Sequence, residues 1–278
     1  MSDYTVTERR MAELLAEMPQ YRALTRVFSS KLILAALCTM LGTLLLGFLN
    51  LGLSLPSMVS AMLAGASGTD NSAVHESILS GVIYGVIIFV FVVLASLAVA
   101  AVQLVPQILL ISRARRGKLL GRKPFTVLRI YYIVVAVFIV IDLFFALLLR
   151  GSLVFNTIQL LSLALTAVAY FFAIRMLGSQ RDIAVWGKAG KKVPYSAAAL
   201  IFALQMLTYL STILLTVLQY VNPQYFKLTV YSVASLPMLL LSIAINLLNV
   251  LSVAFYSLTV YRAGKELSVA AEQEQIPQ

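Results

Sequence analysis

The chain has 278 residues, of which 61% are hydrophobic and 12% charged, with a mean hydropathy of +0.94. A water-soluble domain carries roughly 25% charged residues, so this chain lacks the polar skin a soluble fold needs, and lipid must be its outer solvent. The net charge of +10 does not signal nucleic acid, because no basic domain stands free of the apolar stretches; the basic residues flank them, which points to anionic lipid headgroups.

Residues 1–31 read as a cytoplasmic, amphipathic N-terminal segment. Met11, Leu14, Leu15 and Met18 recur at helical spacing. Pro19 interrupts, and Leu24, Val27 and Phe28 resume the stripe. An interfacial helix lying on the membrane fits this pattern; the competing reading is a solvated helix packed on cytoplasmic loops. The first apolar run is longer than the core of a secretion signal and lacks a small-residue cleavage site, so it is expected to stay as an anchor.

Six apolar stretches follow, and residues 32–261 are expected to form an all-α, polytopic domain of six transmembrane helices. Barrel strands are excluded by the length and continuous apolarity of the runs. The first span covers about residues 32–53. A connector at 56–77 follows, with a short surface helix expected over 56–63. The second stretch, 78–112, would be about 52 Å long as one helix, and Pro106 is expected to kink or end it. Spans three and four, at 125–149 and 153–176, are joined by Arg150, Gly151 and Ser152 alone, so they should be antiparallel neighbours. The fifth covers 195–220. The sixth covers 231–261, with Pro237 expected to bend its outer end. Residues 262–278 read as a frayed polar tail.

Nineteen of the 21 Lys and Arg residues fall in the connectors on one side. Basic loops resist translocation, so both termini are expected in the cytoplasm and the location is expected to be a plasma (cytoplasmic) membrane. Arg113, Arg115, Arg116, Lys118, Arg122, Lys123, Lys188, Lys191 and Lys192 are the expected headgroup contacts. Two of the basic connectors share a pattern. Gly117-Lys118 and Gly187-Lys188 each precede a Pro-aromatic pair, Pro124-Phe125 and Pro194-Tyr195, at a constant offset; Gly264-Lys265 is a partial third copy. Duplication of a two-span unit and independent convergence on topology signals both produce this.

Asp142 is the only acidic residue inside a predicted span. A charge at mid-bilayer costs about 2.5–3.5 kcal/mol on insertion scales, so it is expected to face the bundle interior, level with Gln159 across the tight hairpin. An interhelical hydrogen bond and a proton or cation site are the two roles open to it. Asn246 and Asn249 share a face of the sixth span and, with Gln205, Tyr209 and Thr212, could form a polar seam. Gly81 and Gly85 form a GxxxG packing motif. Arg129 is expected to snorkel to headgroups and Trp186 to anchor at the interface.

Catalytic signatures are absent: no HExxH, Walker A loop or GxSxG occurs. His75, the only histidine, lies near Asp70 and Glu76, too sparse a set for zinc. Cys38 is the only cysteine and cannot form an internal disulfide. The expectation is a non-enzymatic, cofactor-free membrane subunit that assembles with, positions or regulates other membrane protein subunits. The alternative is a small-solute or ion permease using Asp142 as an intramembrane charge, and a membrane enzyme without familiar motifs ranks third.

Overall fold

The computed structural model describes residues 13–64, 72–148, 153–190, 192–221 and 236–274, with backbone alone toward the ends of several helices. All regular structure among the described residues is helical. After a short helical segment at 13–17, the helices are α1 (Pro19–Ser29), α2 (Lys31–Ala64), α3 (Ser72–Arg115), α4 (Arg122–Leu148), α5 (Leu153–Trp186), α6 (Tyr195–Val221) and α7 (Leu236–Gln273). Six of them, α2 to α7, are long and apolar enough to cross a membrane, so the chain is an all-α polytopic membrane protein.

Each span packs against the next in the chain, and α7 closes on α2. The six spans therefore form a ring. The α6–α7, α4–α5 and α2–α7 seams are the most extensive; α2–α3 and α3–α4 are the thinnest. Close packing between helices sets neighbours about 8–10 Å apart, so a six-membered ring has an axial space to fill.

At the basic end, α1 fills it. Pro19 supplies the preset φ of a first helical residue, and Ser30 breaks the helix in an extended conformation. The Ser30 hydroxyl then accepts the Ile33 N–H at 3.4 Å, which starts α2. Leu24 and Phe28 pack with Leu110 and Ala114 of α3, Phe125 and Leu128 of α4, Leu177 and Ile183 of α5, and Leu267 of α7. This corrects the interfacial reading of the segment. A helix lying on lipid would bury only its apolar stripe, whereas α1 also buries Gln20 and Tyr21.

Other sequence expectations also change. Residues 56–63 are not a separate surface helix but part of α2. Helix α3 runs through Pro106 for 44 residues, about 66 Å; neighbouring helices re-satisfy backbone groups freed by proline in membrane helices. His75 lies in α3 rather than in a loop, and its side chain is outside the described residues. Pro237 is the second residue of α7, a starter rather than a bend. The expected frayed tail is helical to Gln273, because Leu267 and Ala270 belong to the α1 core.

The recurring Gly-Lys pairs have a local cause. Gly117 and Gly187 both adopt positive φ, 62° and 74°, just beyond the ends of α3 and α5. Lys118 N–H donates to Arg113 O and Gly187 N–H to Ile183 O, both at 2.9 Å. These are glycine stops that a side chain would strain. Gly264 has no such role; it is inside α7.

Candidate functional site

The inward faces carry a belt of tyrosines and glutamines toward the basic half of the ring. On α4, Phe125, Leu128 and Ile139 form the buried stripe, and Tyr132 shares it by helical spacing. Its ring lies 5.3 Å from Tyr170 on α5, where the small residues Ala169 and Ala173 are buried. Tyr209 of α6 is the next phenol near Tyr170. Tyr256 of α7 stacks edge-on with Phe202 at 4.9 Å. The Tyr131 hydroxyl donates to Gln103 Oε1 at 3.0 Å and ties α4 to α3.

Between this belt and α1 lies a cavity of about 50 Å³ lined by Gln107, Tyr132, Gln180, Tyr256 and Thr259 among apolar side chains. It has room for a few waters, and five polar side chains to hold them. The belt was missed by the sequence reading, which noted Tyr209 alone. Its signal was depth: tyrosines that anchor at interfaces sit at span ends, whereas these lie about one and a half turns or more inside.

Asp142, expected to face the bundle interior, is exposed. It falls two heptads after Leu128, on the edge of the stripe that Leu128 and Ile139 bury. Around it Phe138 and Phe145 are 62% and 56% exposed. Gln159 is on α5, but its side chain lies outside the described residues, as does the setting of Gly81 and Gly85 on α3.

The expected α6–α7 polar seam is not assembled. Asn246 Nδ2 donates to Ser242 O of its own helix at 2.9 Å. Asn249 and Gln205 are half-buried, and no hydrogen bond among the described residues joins them. Instead the Ser257 hydroxyl donates to Ala199 O at 2.8 Å and crosses from α7 to α6. Arg129 does not simply reach outward. Its guanidinium lies over Gly178 of α5, and its Nε is buried without a partner.

The basic residues divide into two kinds. Arg115, Arg116, Lys118, Arg122 and Lys123 are exposed. Arg113 is not free for headgroups, because its Nη1 donates to Leu120 O at 3.0 Å and staples the α3–α4 turn. In the same turn the Leu120 N–H donates to the Tyr21 hydroxyl at 3.1 Å. Burial raises the Tyr21 phenol above its ordinary value, and the Leu120 N–H opposes that rise.

Lys188 and Lys192 line a large open cavity of about 910 Å³ with Lys265 of α7; Lys191 lies outside the described residues. One glutamine closes the cavity floor. Gln20 of α1 accepts the Ala189 N–H at 3.0 Å and donates to Glu274 Oε2 at 3.1 Å. The N-terminal segment and the end of α7 therefore meet at the same end of the ring.

No group of three potential metal ligands occurs among the described residues. The chain matches no known family model, no curated protein and no solved structure.

Proposed function

We propose that this protein is a non-catalytic subunit of a membrane complex, oriented with both termini and the basic connectors in the cytoplasm of a cell's plasma membrane. The observation that carries the reading is Asp142, an exposed carboxylate among exposed apolar side chains on a helix that crosses the membrane. Against lipid it would cost about 2.5–3.5 kcal/mol on insertion scales. A neighbouring membrane helix offering a lysine, arginine or amide at that depth removes the penalty. That helix would lie beside Asp142, with the exposed Phe138 and Phe145 as its apolar contacts.

The test is a photo-reactive residue at Phe145, with one at Leu251 of α7 as comparison. A discrete adduct at Phe145 that survives Asp142→Asn and disappears in Asp142→Leu is expected. Equal, diffuse lipid labelling at both sites would refute the reading. Cysteines placed at Ser72 and Ser152 should react with an impermeant reagent outside intact cells, in a Cys38-free background, and cysteines at Ala114 and Ala189 should not.

The permease alternative rests on the tyrosine–glutamine belt and its small cavity inside a closed ring. It requires solute flux in vesicles that a well-folded Asp142→Asn variant abolishes.

A further inference from the structure

A second cavity, of about 910 Å³, lies where the α5–α6 connector, the start of α6 and the last turns of α7 meet. Its chemistry is uneven. Tyr261, Lys265, Ser268 and Glu272 follow one face of α7, and Lys188, Lys192 and Ser196 approach from the connector and α6. Among the described residues, neither Lys192 nor Lys265 has an ion-pair partner. Two carboxylates share the lining. Glu274 is engaged, with one oxygen 3.1 Å from Gln20 Nε2 and 3.8 Å from Lys188 Nζ; Glu272 is exposed at the edge.

Helix α6 begins in the cavity wall, with no acidic residue in its first turn. The Tyr195 N–H already donates to Val193 O at 2.9 Å and the Ala198 N–H to Pro194 O at 3.0 Å, so the Ser196 and Ala197 amides carry the positive end of the helix dipole toward the cavity. The Tyr195 hydroxyl approaches Ser179 without closing a well-formed hydrogen bond, and both residues line the same cavity. A volume of about 910 Å³ is in the range of small-molecule sites. The surroundings are amphiphilic. The spans start at this level, and exposed Leu200 and Leu207 of α6 and Leu251 and Leu258 of α7 continue away from the cavity along the same two helices.

We propose that this cavity binds the phosphate of an anionic phospholipid headgroup. Lys192 and Lys265 are the principal cations, Lys188 is a shared one, and the first turn of α6 with Ser196 and Ser268 supplies hydrogen bonds. Lysine serves phosphate as a point charge, and the leucines above the cavity receive the acyl chains. A free phosphate ester offers the same charge but nothing for those leucines, which favours the lipid.

Native mass spectrometry of the detergent-solubilised protein, titrated with phosphatidylglycerol or phosphatidylcholine, tests this. One phosphatidylglycerol should be retained in preference to phosphatidylcholine. The triple variant Lys188→Gln/Lys192→Gln/Lys265→Gln should lose roughly tenfold or more in apparent affinity. Arg115→Gln/Arg116→Gln/Lys118→Gln removes the same charge elsewhere and should lose much less. Equal loss in the two triple variants would mean diffuse attraction and overturn the site. Competition by excess inorganic phosphate or glycerol phosphate as effective as the lipid's own binding would overturn the lipid assignment. The exposed Glu272→Lys keeps the proposal testable should the triple variant misfold. It should tighten phosphatidylglycerol binding, and no change would count against the site.

Discussion

At the basic end of the bundle, α1 sits among the spans and touches five of the six; toward the far end no such inserted helix occurs among the described residues. The large side chains that are fully buried, Leu24, Leu110, Leu120, Phe125, Met176 and Ile183, all belong to the basic half. Toward the far end the described residues bury only Ile139, Thr216 and Leu239, while Leu49, Phe91, Phe145 and Leu214 are exposed. The difference follows from solvent. Apolar side chains gain little by leaving lipid for protein, since the tails are as apolar as leucine. Near the headgroups water is the alternative, and burial there is driven by the hydrophobic effect. A packed plug at one end and a loosely joined ring at the other is what two solvents should produce.

The contrast breaks first at Leu24. Leu24→Ala should cost about 2–5 kcal/mol, read as a shift in unfolding in mixed micelles. Leu49→Ala, on the exposed face of α2, should change stability by less than about 0.5 kcal/mol. Equal losses would erase the distinction between the ends.

Glycines sharpen it. A methyl at Gly264 would overlap Tyr195 Cβ, with the Tyr195 backbone close behind. Gly264→Ala should therefore cost about 1–3 kcal/mol. Gly47 has nothing within 4 Å of the added methyl; Gly47→Ala should stabilise α2 by about 0.5–1 kcal/mol through helix propensity. Thermal melts of both variants settle the sign.

Tyr21→Phe leaves the Leu120 N–H unpaired at the basic end and should cost about 1–2 kcal/mol. The pH dependence has a definite sign. The folded phenol titrates above the unfolded one, so above about pH 10 the unfolded state holds fewer protons and stability falls as pH rises. That alkaline decline should be shallower in Tyr21→Phe.

The smallest effect on stability belongs to the far end. Asp142→Leu should shift the isolated chain's unfolding by less than about 0.5 kcal/mol, because the carboxylate is exposed and has no hydrogen bond among the described residues. A loss of several kcal/mol would place Asp142 in an internal interaction instead.

Chain periodicity made much of this legible. The six spans, the Pro and Gly punctuation and the sidedness of the basic connectors could all be read along one dimension. Asp142 stood out by residue type, but its azimuth did not. It lies at the margin of the α4 stripe, and whether a margin is covered depends on the neighbouring helices. The amphipathic pattern of α1 is common to helices that lie on lipid and helices buried in a bundle; the buried Gln20 and Tyr21 separate the two only once their partners are known. The tyrosine belt was present in the sequence as phenols inside the spans rather than at their ends, without an indication that they converge.

By itself the sequence determined that the chain carries six helices long and apolar enough to cross a membrane, because hydropathy and helical rise act residue by residue. Tertiary structure alone decided that α7 closes on α2, that α1 enters the ring, and that Gln20 meets Glu274. Those choices rest on contacts between distant parts of the chain, and no local period encodes which helix a face will find.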